Sequence, residues 1–440
     1  MKATNDLAPS VYEATVCRPC YPEAAGNMDT DVCIVGGGFA GLHTALSLQE
    51  AGRKVTLMEA RRIGCGASGR NGGHFIPELA VDMEYVESQT GIDNARFLWG
   101  VIRESAQLIK WRMRTYHIDA EFQPGHLIAA IQPGHWRALQ QHCQYMNDQY
   151  SAGYELIESE DLSGHVRSPL YRGAMLNCEA GHLHPLRLAL GLARAVQDNG
   201  GQIYEQSPLM NWQREGDKYQ LHVGVSGQSV ACVNARTLVL ACNNGITDIK
   251  HPQARTNAKR ILPVGTWVIA SEPLPDAMVE QTLPRRAAVC DNRFVMDYYR
   301  LTRDNRLVLG GGCSYMGHST PQGFQESMRQ EMVRVFPGLR DTQVEYAWGG
   351  TIDISMDRAP DVGALDEGRL FFAQGFSGSG IVATALAGRA IAMAITGDDH
   401  LLNRLSRFPK KNFPGGNWWR GPIISTAVAW ERFRDQYLSA

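Results

Sequence analysis

A short apolar run, Asp31-Val32-Cys33-Ile34-Val35, leads directly into Gly36-Gly37-Gly38-Phe39-Ala40-Gly41, a G-x-G-x-x-G turn that opens a helix. No other stretch restricts the fold as much. Gly36 permits the tight turn, Gly38 lets backbone amides approach a pyrophosphate, and Gly41 lets the helix lie close on the strand. The helix carries Leu42, Ala45 and Leu46 at helical spacing and ends near Ala51-Gly52. Its first turn offers unpaired N–H groups and a positive dipole end to phosphate. A second strand over 54–58 ends in Glu59, at the acidic position that grips a ribose hydroxyl. A carboxylate there repels a 2′-phosphate, which favours FAD or NAD over NADP. A glycine turn alone arises by chance; strand, turn, helix, strand and acid in this order predict a dinucleotide-binding βαβ unit.

The next turn, Gly64-Cys65-Gly66-Ala67-Ser68-Gly69-Arg70-Asn71-Gly72-Gly73, separates FAD from NAD. So many glycines beside Ser68, Arg70 and Asn71 suit a second backbone wrap along an extended cofactor, with a mobile surface loop as the alternative. Together with Glu59-Ala60, this turn resembles the flavoprotein family of D-amino-acid oxidase, sarcosine oxidase and glycine oxidase, and within it the bacterial γ-glutamylputrescine oxidases. The resemblance runs over nearly the whole chain after the first thirty residues. It takes in Gly181-His182-Leu183-His184-Pro185-Leu186, Asp297-Tyr298-Tyr299-Arg300-Leu301-Thr302, Trp348-Gly349-Gly350, Gln374-Gly375-Phe376-Ser377-Gly378 and Phe413-Pro414-Gly415-Gly416.

The resemblance implies an α/β fold. A glutathione-reductase-like, Rossmann-type FAD-binding domain is interleaved with an α+β substrate domain built on a mostly antiparallel sheet. Residues 1–28 form an N-terminal arm, 29–78, 181–258 and 344–400 the FAD-binding domain, 79–180 and 259–343 the substrate domain, and 401–440 a tail. FAD contacts are implied at Gly36, Gly38, Phe39, Ala40, Gly41, Glu59, Ala60 and Arg61. They continue through Gly66, Ala67, Ser68, Arg70, Asn71, Gly72 and Gly73 to Leu209 near the adenine, Ala241, Cys242 and Gly350. The last set is Gly375, Phe376, Ser377, Gly378, Ser379, Gly380 and Ile381.

Length and charge agree with that plan. At 440 residues the chain exceeds what one core usually holds, and 43 basic against 45 acidic residues leave no basic field for nucleic acid or an anionic membrane. No stretch of about 20 apolar residues spans a bilayer. The first thirty residues lack the basic start and apolar core of a secretory signal, and read as an arm laid over the surface. Ten cysteines without framework spacing, several inside apolar runs (Cys33, Cys232, Cys242), point to a reducing bacterial cytoplasm. Cys17-Arg18-Pro19-Cys20 has redox spacing, but no βαβ context and no second pair. A monomer or small homo-oligomer is expected.

Further along, helical character is predicted over 80–116, near 134–151, from Pro185 to Gly200-Gly201, near 325–335 and over 381–395. Strands are predicted at 121–122, 127–131, 203–205, 219–225, 229–233, 236–243, 264–270, 294–301, 306–310 and 369–373. The run over 236–243 reads as a buried strand returning to the cofactor sheet.

The chemistry follows from the cofactor. The loop over 374–380 feeds a helix N-terminus, which places N–H donors where negative charge gathers, and the family resemblance sets that end against the pyrimidine edge of the flavin. A glycine bend for close packing is the alternative. An amine bound neutral beside the flavin gives up hydride from the carbon next to nitrogen, and the imine product is hydrolysed by water. No nucleophile or metal is needed, so Ser68 and the His182-x-His184 pair are set aside. Candidate substrate-site residues are His74, Tyr298, Arg300, Trp348, Phe376 and Ser379. Strand alternation sends Tyr298 and Tyr299 to opposite faces, while Arg300 shares the Tyr298 face and could pair a substrate carboxylate; plain sheet packing is the alternative.

The chain departs from the pattern of the family it resembles, which usually has His at the place of Ser379 and Gln or similar at that of His74, and this puts γ-glutamylputrescine itself in question. No Cys stands at Gly350-Thr351, so FAD is expected to be non-covalent. Sarcosine oxidases place an oxygen-activating Lys in the strand that here reads Leu307-Val308-Leu309-Gly310, and none is present, so the resemblance speaks against dioxygen as the natural acceptor; dioxygen or a quinone-type acceptor is expected. The expectation is a cytosolic FAD-dependent oxidation of a γ-glutamylputrescine-like amine in polyamine or amino-acid catabolism. The alternatives are a cyclic or N-alkyl amino acid (pipecolate, proline, sarcosine) as substrate, or a non-catalytic flavin-binding protein.

Overall fold

The computed structural model describes residues 8–225, 228–293, 295–314 and 323–414. Gly415-Gly416, the tail beyond them and Phe294 lie outside the described residues.

Short runs that are apolar on both faces form the centre of the first sheet, as buried parallel strands do. Its order is Asp361–Leu365, Leu370–Gln374, Gln228–Leu240, Gly26–Val35, Val55–Met58 and Gln202–Tyr204. The last five run parallel, and Asp361–Leu365 caps one edge antiparallel. Helices Phe39–Glu50, Pro185–Asp198 and Gly380–Thr396 share one core with Ile34, Leu57 and Val239. Where Gly380–Thr396 crosses Phe39–Glu50, a methyl at Gly388 would stand 2.7 Å from the Thr44 amide nitrogen, so the crossing needs glycine. The other face buries Cys33, Val35 and Met58 with the hairpin Leu209–Glu215 and Lys218–Val225.

The second sheet runs Val344–Ser355, Ile261–Pro273, Arg306–Ser314, Tyr298–Leu301, Ala288–Asp291, Gln123–Ala130, Gly173–His182 and His74–Phe75. Every neighbouring pair in it is antiparallel except Ala288–Asp291 with Gln123–Ala130. Leu127, Leu176, Val289, Tyr299 and Leu309 face a core completed by Met328, Met332 and Val335 of helix Phe324–Val335. By alternation His126, Ile128, Asn177, Cys290 and Tyr298 lie on the opposite face. No helix among the described residues is long and apolar enough to cross a membrane.

Several expectations are corrected. The arm lies largely exposed, but not throughout: its short helix Val11–Ala14 inserts Tyr12, 0 % exposed, beside His184 and Trp348. An amphipathic Tyr can fill an apolar gap and still satisfy its hydroxyl, here with Arg300. The boundary at 343/344 fails because Val344–Ser355 pairs along Ile261–Pro273 and so belongs to the second sheet, as do His74 and Phe75. The helical stretch over 80–116 is two helices, Met83–Thr90 and Ile92–Thr115, broken at Gly91 (φ 84°). Residues 121–122 form no strand; Glu121 takes a left-handed φ of 55°.

Candidate active site

At the carboxyl ends of the parallel strands, Gly36 has φ 116° and passes so near the Gln228–Leu240 strand that a methyl on it would stand 2.4 Å from the Ala241 oxygen. A methyl at Gly41 would stand 2.0 Å from the Gly36 oxygen. The glycine turn therefore holds the start of helix Phe39–Glu50 against the strand ends. The first backbone bond there runs from the Leu42 amide to the Gly38 oxygen, so the amides of Ala40 and Gly41 have no protein acceptor among the described residues. Ser68 Oγ accepts from the Phe39 amide at 2.9 Å, which clamps the second glycine turn to the first. Glu59 Oε2 accepts from the Gly37 amide at 2.7 Å, and Oε1 from the Arg61 amide at 2.8 Å. Burial outweighs those donors and raises the Glu59 carboxyl.

The second turn runs from this end to the other sheet and braces itself. Asn71 Nδ2 donates to the oxygens of Ala67 and Ser68, and Asn71 Oδ1 accepts from the Gly73 amide. Arg70 Nε donates to the Gly349 oxygen, Arg70 Nη2 to the Ala8 oxygen, and Trp348 Nε1 to the Arg70 oxygen. Arg70 and Asn71 thus serve the backbone of the loop. Trp348, 0 % exposed beneath it, has no surface to offer a substrate.

Tyr298 lies across the end of this turn. A methyl would stand 2.5 Å from its ring at Gly72 and 2.2 Å from it at Gly310 on the neighbouring strand, so two glycines clear a slot for one ring. His74 packs edge-on against Tyr298, with ring centres 5.4 Å apart, and its Nδ1 lies 3.1 Å from Nε2 of His126. Burial, with the neighbouring His126, His182 and Arg300, holds His74 well below the usual imidazole range. Burial likewise takes His126 down to about 4 and His182 to about 3. These imidazoles are neutral at pH 7, and His74 Nε2 is buried with no protein partner among the described residues.

Arg300 shares the Tyr298 side of its strand but is not free for a substrate. Its Nε donates to the Gly72 oxygen at 2.7 Å, Nη2 to the Tyr12 hydroxyl at 3.1 Å and Nη1 to the Leu301 oxygen at 3.5 Å. The expected carboxylate pairing is therefore corrected: buried guanidinium donors need acceptors, and backbone and arm supply them. Tyr299 points the other way and meets Tyr171 Oη in the second core.

At the far end, the Ser377 amide donates to the Asp353 oxygen, and the Gly375 amide to Asn243 Oδ1. This loop delivers Phe376 and Ser379, both half-buried, to the start of helix Gly380–Thr396. Ser379 makes no side-chain cap, so the amides of Gly380 and Ile381 have no protein acceptor among the described residues. Beside the loop Asp353 is 2 % exposed, and neither carboxylate oxygen has a well-aligned partner among the described residues. The facing amide of Asn244 does not offset the burial that raises this carboxyl to about 7.

The family model described as DAO, FAD dependent oxidoreductase, matches residues 31–394. The chain belongs to this family of FAD-dependent oxidoreductases. It is 35% identical over 406 residues to the γ-glutamylputrescine oxidoreductase of Escherichia coli K12, covering 92% of this chain and 93% of that one. Among solved structures it resembles L-proline dehydrogenase from P. horikoshii (TM-score 0.71, 19% identity, 88% of this chain and 98% of that one). It also resembles glycine oxidase from Bacillus cereus (TM-score 0.68, 20% identity, 85% and 98%), likenesses that show the fold.

FAD is the cofactor of this oxidoreductase family, and the two ends of the site fit it. The close approach at Gly36 and the open amides of Ala40 and Gly41 suit a pyrophosphate. Glu59 stands at the end of the second parallel strand, where ribose hydroxyls are held. Ala60, Arg61 and Gly66 lie exposed at the same end. Ala241 and Cys242 form the wall opposite Gly36, and Leu209 lies 5 % exposed among Cys33, Val35 and Met58. Phe39 points its ring into the core, so only its backbone faces the turn.

Sequence reasoning missed Tyr12, Glu78, His126, Asn177 and Asp353. His126 and Asn177 face each other across two strands, a pairing that strand alternation could have found once the register was known.

Proposed function

We propose that this FAD-dependent oxidoreductase oxidises an amine at the carbon beside nitrogen, with a γ-glutamylputrescine-like compound as substrate. FAD supplies the hydride acceptor when bound. The chain's own residues bind, orient and exclude water. Tyr298 and the two glycines that seat it set one wall, and His74 presents an uncharged imidazole edge to the substrate nitrogen. The open amides of Gly380 and Ile381 favour negative charge at the opposite end. The imine product is hydrolysed by water, and electrons leave to dioxygen or a quinone. FAD is held without a covalent link.

The observation that carries this choice is the use of Arg300 within the protein. With its donors given to Gly72, Tyr12 and Leu301, and with His74 and His126 neutral, these residues have no cation left to fix the carboxylate of an α-amino acid. They retain acceptors for a nitrogen that donates.

Anaerobic mixing of the yellow holoenzyme with γ-glutamylputrescine, simple amines, sarcosine, proline and pipecolate tests this by loss of flavin absorbance. Bleaching by amines and not by the α-amino acids is expected. Bleaching by the α-amino acids alone would overturn the assignment.

A further inference from the structure

The Tyr298 face of the antiparallel sheet holds a carboxylate that no described residue neutralises. Glu78 lies four residues beyond His74, on the link out of the glycine turn. Its Oε1 accepts from Tyr154 Oη at 2.7 Å and from Asn177 Nδ2 at 3.0 Å. Asn177 stands directly across the ladder from His126, which holds His74, so the two donors fasten Glu78 to the face that carries Tyr298. Cys290, the cross-strand partner of Tyr298, is raised first by burial and then by the charges of Asp291 and Glu78, which puts Glu78 within electrostatic reach of that strand.

Both donors go to one oxygen and leave Oε2 open to another. Burial raises the Glu78 carboxyl, and the donors from Tyr154 and Asn177 offset that only in part. The nearby His142 ring sits 3.8 Å from Glu84 instead, and no described Lys or Arg pairs with Glu78. The imidazoles on this face bring no charge, because burial keeps them neutral, and His74 Nε2 and His182 Nδ1 are themselves buried without a partner. A half-buried carboxylate without a counter-charge is costly, so Glu78 either holds a proton or meets a cation from outside the chain, which would keep it ionised. An anion would be repelled and a neutral hydroxyl would leave the charge in place. A protonated nitrogen satisfies both charge and geometry.

We propose that Glu78, held by Tyr154 and Asn177, binds a second, protonated nitrogen at the far end of the amine substrate, so that the enzyme prefers diamines and their ammonium-bearing acyl derivatives to monoamines. This rests on the amine-oxidising function proposed above. The nitrogen that reacts lies at Tyr298 and His74 and must be neutral, while the one held by Glu78 must be charged. One substrate therefore presents its two ends to opposite electrostatic environments.

The test uses the holoenzyme mixed anaerobically with 1,4-diaminobutane, γ-glutamylputrescine and n-butylamine, following flavin reduction against concentration. The wild type should half-saturate with 1,4-diaminobutane, whose far end is a lone cation, at roughly tenfold or more lower concentration than with n-butylamine, the scale of one desolvated charge pair. Glu78→Gln should abolish that preference, bringing 1,4-diaminobutane to within about twofold of n-butylamine. γ-Glutamylputrescine carries an α-carboxylate beside its far ammonium, so the preference for it over n-butylamine should be smaller than that for 1,4-diaminobutane. Tyr154→Phe keeps the carboxylate but removes a donor, and should shift the preference the same way by about threefold, which decides the matter if Glu78→Gln loses its flavin. Unchanged discrimination in both variants overturns the subsite alone. A wild type that no amine bleaches overturns the amine function and the subsite with it.

Discussion

Asp353 shows how one buried group sets a pH response. Its folded carboxyl titrates at about 7, above the roughly 3.9 of an unfolded Asp. Stability from keeping that proton is complete below the unfolded value and is lost as pH climbs through the folded one. About three units correspond to roughly 4 kcal/mol, an upper bound. Asp353→Asn keeps the shape without the charge, so the variant should gain stability over the wild type between pH 5 and pH 8. Thermal unfolding of both proteins at the two pH values checks this, and a constant gap between them would contradict it. Nothing in Thr351-Ile352-Asp353-Ile354 announces the burial, because it depends on the loop from Gly375 closing over the strand. The position of Glu59 was legible, because the acid follows its strand at a fixed place. Arg300 was half legible: alternation placed it on the Tyr298 side, but Tyr12, almost three hundred residues earlier, could not be known to meet it.

Among elements, helices were legible from periodicity and caps. The stretch expected over 381–395 is Gly380–Thr396, and that near 325–335 is Phe324–Val335. Sheet membership was not legible, since Val344–Ser355 has the same strand character whichever sheet it joins and only its pairing with Ile261–Pro273 decides. Gly388 shows the same limit. It looks like a weak spot in a helix, yet a methyl there would meet the Thr44 amide nitrogen at 2.7 Å. Gly388→Ala should therefore destabilise the protein by about 1–3 kcal/mol despite the better helix propensity of Ala. Chemical denaturation reads the loss. Because the opposing helix begins at the Gly36–Gly41 turn, the fraction of protein that retains flavin should fall with it.

At the scale of the whole molecule, the arm ties the two sheets together. Tyr12 stands 4.9 Å from His184 and 5.4 Å from Trp348, ring centre to ring centre, and accepts from Arg300, which in turn holds the Gly72 oxygen. Tyr12→Ala should cost about 3–5 kcal/mol, whereas Tyr12→Phe, which keeps the ring, should cost about 1–2 kcal/mol. Urea unfolding of the two variants separates packing from hydrogen bonding, and equal losses would show the ring to be unimportant. The interleaved order of the strands also has a consequence for biosynthesis. Gly26–Val35, made some two hundred residues before Gln228–Leu240, needs that strand beside it, and Gln228–Leu240 needs Leu370–Gln374. The cofactor sheet therefore cannot close while the chain is being made. The nascent protein must shelter Val32–Val35, the apolar end of Gly26–Val35, until Gln228–Leu240 and Leu370–Gln374 have followed it.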